Sequence, residues 1–180
     1  MTAQFADDYF GIPDALMNNA AIRQRMISLI TSEPVVGKAI EGGDRLDRLR
    51  VILIEMTGGK LDLNSSIAQV GRELPRNSSI YLDDNRVFAI GWEERLIRTQ
   101  FSRFYNQAVL EMVIAEGGVD CFIPHSSAEQ STTSCSINLA GRRHLAKPLL
   151  ERLISSYRDG NFSNDLKVPH HPHCTHVVKP

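Results

Sequence analysis

Apolar positions along this chain follow two different rhythms, and each predicts a different kind of element. Leu16, Ala20, Ile27 and Ile30, with Met17 and Met26 beside them, recur at roughly helical spacing through Ser32. Pro13 suits the first turn of that helix. A short helix is expected from Pro34 to Ile40, stopped by Gly42-Gly43, and another over Ile67, Val70 and Leu74, capped by Asn64 or Ser65. The clearest periodic stretch runs from Trp92 to Glu116. Leu96, Phe101, Phe104, Ala108, Met112 and Val113 line one side of it, Arg95, Arg98, Ser102 and Arg103 fall largely elsewhere, and Gly117-Gly118 closes it. Gly141 to Tyr157 is also helical in period, with Leu150, Leu153, Ile154 and Tyr157 in step and Pro148 either kinking or restarting it.

Short unbroken or alternating runs predict strands. Val51-Ile52-Leu53-Ile54 reads as a strand buried on both faces, after a charge-alternating connection from Asp44 to Arg50. Ser79–Leu82 and Val87–Ile90 flank Asp83-Asp84-Asn85-Arg86, a turn-forming group that predicts a hairpin. Val119–Pro124 and Ser134–Leu139 predict a second hairpin around the polar loop His125–Thr133. The expected fold is therefore a single α/β or α+β domain over residues 1–160. It has a mixed or mainly antiparallel sheet, with the long amphipathic helix (about 92–116) and further helices packed on it. Residues 161–180 are expected to form an irregular, extended tail.

Composition narrows the function classes. The 180 residues are 42% apolar and 23% charged, ordinary values for a globular chain. Twenty Lys plus Arg against 21 Asp plus Glu give a net charge of −1, which argues against a nucleic-acid partner. No uncharged apolar stretch approaches the roughly 20 residues a membrane helix needs. The start, Met1–Phe10, is acidic at Asp7 and Asp8 and lacks the pattern of a secretory signal. Cys121, Cys135 and Cys174 are an odd number in a chain too large to need disulfide staples, so a cytoplasmic setting is expected.

Candidate chemistry gathers in two places. In the tail, His170, His171, His173, Cys174 and His176 put five imidazole or thiol groups within seven residues. These are the donors zinc prefers, about four at a time. Pro169 and Pro172 stiffen the segment, and neighbours such as His173 and Cys174 seldom both reach one ion. The tail is thus expected to supply two or three ligands and to borrow the rest from the domain, where Cys121, Cys135 and His125 are the nearest lenders. His171, His173, Cys174 and His176, with Cys121, form the expected metal set. The second place is the 125–143 loop. His125 and Cys135 stand at opposite ends of the expected hairpin loop, where a thiol beside an imidazole makes an activated nucleophile, with Glu129 or Asp120 to orient the ring. Gly141-Arg142-Arg143, read as a helix start, would receive an anion.

Three readings follow. One is a small regulatory or binding domain with a transition-metal site, zinc by preference. The second is an enzyme acting on an anionic small molecule at the loop through His125 and Cys135. The third is a plain homodimeric interaction module, with Phe101 and Tyr105 on the long helix available for a dimer seam.

Overall fold

The computed structural model describes residues 4–180; Met1–Ala3 of the acidic start lie outside it. The described residues form seven α-helices: α1 (Ile12–Asn18), α2 (Ala20–Ser32), α3 (Arg45–Thr57), α4 (Leu63–Glu73), α5 (Trp92–Ala115), α6 (Ser134–Asn138) and α7 (Ala146–Tyr157). Two short strands, β1 (Asp120–Ile123) and β2 (Arg142–Leu145), pair antiparallel from Asp120↔Leu145 to Ile123↔Arg142. With 53% helix and 5% strand, the fold is mainly helical, and in place of the expected helix-covered mixed or mainly antiparallel sheet the described residues hold only this two-stranded pair.

Each misplaced strand has a local reason. Val51–Ile54 lies inside α3, where Leu49, Ile52, Leu53 and Met56 are buried at helical spacing while Val51 is 53% exposed. A four-residue aliphatic run cannot distinguish strand from buried helix, and the charged Asp44–Arg50 segment supplies the missing turns. Ser79–Ile90 forms a series of turns, in which Ile80 and Ile90 are exposed and only Phe88 enters the core. Ser134–Leu139 is a helical turn: the Thr133 side chain accepts the Ser136 N–H at its start, and Cys135 and Leu139 are buried one turn apart. The helix expected from Gly141 begins at Ala146, with Pro148 in its first turn, and Gly141 turns the chain into β2 instead.

The long helix appears within one residue of its expected end, but it is not the covering layer of a sheet. α5 is the centre of the molecule, packed against α2, α4 and α7 and touching α3 and β1. Every residue from Gln100 to Leu110 is buried, including Ser102, Arg103, Asn106 and Gln107. These polar groups find partners within the helix and beyond it: Asn106 donates to Ser102, Gln107 to Glu111, and Arg103 to Gln100 and to the Pro34 carbonyl. Phe101 and Tyr105 lie wholly inside the chain, and the Tyr105 hydroxyl accepts the Ala6 N–H.

The tail after Gly160 is irregular, yet it is built into the core. Val168, Cys174, Val177 and Val178 are buried. The Tyr157 hydroxyl donates to the Pro169 carbonyl, and Lys179 exchanges two backbone hydrogen bonds with Phe122, adding a bridge to the free edge of β1. Among the described residues no helix is long and apolar enough to cross a membrane.

Candidate metal centre

Two segments far apart in sequence meet at the site. The first is the polar loop after β1, which ends at Thr133 and leads into α6. That helical turn directs Cys135 inward. The second is the tail, where the Cys174 N–H donates to the His171 carbonyl at 3.0 Å. This turn puts the His171 and Cys174 side chains on the same side.

The ligand atoms of Cys135, His171 and Cys174 all lie within 4.8 Å of one another. The Cys135 sulfur is 3.4 Å from Nε2 of His171 and 3.3 Å from the Thr133 hydroxyl. His176 stands beside this cluster, 1% exposed, with Nδ1 3.6 Å from the Cys174 sulfur and Nε2 2.6 Å from Oε2 of Glu129. Glu129 holds a second imidazole on its other oxygen, His125 Nδ1 at 2.6 Å. The cluster lines a cleft of about 350 Å³ together with residues that include Phe10, Arg98 and Gln130.

Electrostatics in the cluster favour one thiolate. The hydrogen bond with Cys174 leads in drawing the Cys135 pKa below the usual thiol range, against burial and with help from His171, His176 and Thr133. That same bond, then burial, pushes Cys174 up. Burial opposes charge on His176, but its bonds to Cys135 and Glu129 outweigh it and raise the pKa. Burial likewise opposes charge on Glu129, and the two histidines outweigh it and lower that pKa. Thiolate and neutral imidazole are the forms that bind a transition metal.

The other sequence candidates lie as follows. His173 is exposed and faces Glu94 at 3.9 Å. Cys121 is buried in β1, where its thiol donates to the His144 carbonyl, so the domain thiol in the cluster is Cys135. His125 bonds to Glu129, and the imidazole beside Cys135 is that of His171. Arg142 and Arg143 stand exposed on β2, and Arg143 makes a bidentate pair with Asp120, both bonds 2.9 Å.

The bridge by Glu129 between loop and tail had only a weak sequence signal. Its four-residue spacing from His125 is visible, but its partner His176 lies 47 residues away. Compared with protein-family models, with curated proteins and with solved structures, the chain matches none.

Proposed function

We propose that this protein is a small helical domain that binds one transition-metal ion, zinc by preference, and uses it to fasten its C-terminal segment to the body of the fold. The observation that carries this reading is the convergence of Cys135, His171 and Cys174 to within 4.8 Å from two segments of the chain. Bond lengths of about 2.3 Å to sulfur and about 2.0–2.1 Å to nitrogen put sulfur and nitrogen ligands of one tetrahedral zinc ion roughly 3.6 Å apart. The 3.4 Å between Cys135 and His171 fits that span. Two sulfurs and an imidazole select zinc or another thiophilic ion over magnesium or calcium, which take oxygen ligands. The ion would join helix α6 to the tail, adding to the backbone bridges, buried valines and side-chain hydrogen bonds from Tyr157 and Asn106 that also hold it.

Elemental analysis of the untagged protein tests this. About one zinc per chain is expected in the native protein, with loss in Cys135→Ser and Cys174→Ser. A metal-free protein that takes up no zinc on titration sinks the proposal. A second reading has one observation in its favour, the same 3.4 Å contact between a lowered-pKa thiol and an imidazole, which is the pair of a nucleophilic enzyme. It predicts fast, selective alkylation of Cys135 at neutral pH that added zinc does not suppress.

A further inference from the structure

We infer that His176 is the fourth ligand, bound through Nδ1, and that Glu129 is the residue that positions it. The inference rests on the metal reading above and concerns what closes the coordination shell. Its Nδ1 is 3.6 Å from the Cys174 sulfur, matching the roughly 3.6 Å expected for two ligands of one tetrahedral zinc. Its Nε2 is 2.6 Å from a carboxylate oxygen of Glu129. An ionised carboxylate only accepts hydrogen bonds, so Nε2 carries a proton, and in the neutral ring the lone pair is on Nδ1, the nitrogen beside the Cys174 sulfur. Metal-bound histidines are commonly oriented in this way by an acceptor on the other nitrogen. Glu129 is itself fixed, by His125 on Oε1 and by the Ser126 N–H on Oε2.

Two other histidines compete for the position. His173 is 52% exposed at its side chain and faces Glu94. His170 has a buried Nδ1 without a partner, but it adjoins His171, and consecutive residues seldom both reach one ion. No carboxylate holds its ring. His176 has a nitrogen 3.6 Å from the Cys174 sulfur and a carboxylate on its other nitrogen, and from its place beside the group of Cys135, His171 and Cys174 its ring would move in to complete the shell.

The consequence is chemical. Two sulfurs and two nitrogens fill a tetrahedral shell, which leaves the ion without a position for water or substrate and makes it structural. It also ties the 125–133 loop to the metal, since Glu129 belongs to that loop.

Cobalt(II) in place of zinc gives visible ligand-field bands that report coordination. The wild-type protein should show four-coordinate bands that added azide does not change. His176→Ala should shift those bands and open a position that azide then fills. Glu129→Gln should keep four-coordinate bands while weakening zinc affinity by about 10–100-fold. His170→Ala should match wild type in both. Azide-sensitive bands in the wild type, or identical bands and zinc affinity in His176→Ala, overturn the inference and leave the three-ligand reading standing. If wild-type protein takes up neither cobalt nor zinc, both fall. Because the azide experiment uses unmodified protein, the inference stays testable even if His176→Ala does not fold.

Discussion

The backbone N–H of Val178 donates to the side-chain oxygen of Asn106 at 2.8 Å, so the tail is anchored at the middle of the most buried helix. Asn106 in turn donates to the Ser102 carbonyl and hydroxyl, which fixes the orientation of its amide. Asn106→Ala leaves the buried Val178 N–H without an acceptor, at a cost of about 1–3 kcal/mol. Urea denaturation should show that loss, and zinc titration should show weaker binding, because the segment that carries His171, Cys174 and His176 loses its anchor. Wild-type stability in this variant would mean that the tail is held by its other contacts and that Asn106 is no anchor.

Metal occupancy should appear directly in thermal stability. An ion that binds only the folded chain stabilises it by about 2.7 kcal/mol at a free concentration 100 times its dissociation constant. For a chain of this size that corresponds to roughly 5–10 °C in melting temperature. Chelation should lower the melting temperature of the wild type by that order and leave Cys174→Ser unaffected. Equal chelator sensitivity in the two proteins would place any metal elsewhere.

A side chain at Gly141 would meet the His125 ring. Its φ is +70°, and a Cβ would lie 2.5 Å from Nε2 of His125. The left-handed backbone alone makes Gly141→Ala unfavourable by about 1–2 kcal/mol. The collision adds to this and pushes His125 off Glu129. In a His125→Ala background the same substitution should cost less, because only the backbone term remains. A double-mutant cycle on urea midpoints measures the difference, and an additive result would rule out the contact.

The Asp84 turn gives a pH signature. Hydrogen bonds from the Arg86 side chain, then from its backbone N–H, lower the Asp84 pKa from 3.8 to about 2. A carboxylate whose pKa is lower in the folded state contributes stability above its unfolded value and loses it as pH falls through the folded value. The stability difference between wild type and Asp84→Asn should therefore be complete above about pH 4 and shrink between pH 4 and 2. Denaturant midpoints across that range check it, and a difference independent of pH would show that Asp84 contributes through turn geometry and not through charge.

Local rules determined a good part of this molecule. The period of Leu96, Phe101, Phe104 and Ala108 is enough to define the helix that spans Trp92–Ala115, and Val119–Pro124 contains the observed strand β1. The crowding of imidazoles and a thiol between His170 and His176 also marked the tail as the place to look for a metal. Tertiary structure decided the rest. Leu49, Ile52, Leu53 and Met56 form a helix face only when the charged residues before Val51 belong to the same element, and packing against α2 and α4 makes them so. Polar residues on α5, such as Arg103 and Asn106, look like a solvated face by composition but are buried because other elements surround the helix and provide their partners. The choice of Cys135 over Cys121 has the same origin. Both thiols lie near the polar loop in sequence, but β-pairing turns Cys121 toward His144, while the α6 turn directs Cys135 to His171. Spacing along a chain encodes which residues share a face over a few turns. Which faces then meet depends on the summed burial of the whole core, and no short window of sequence contains that sum.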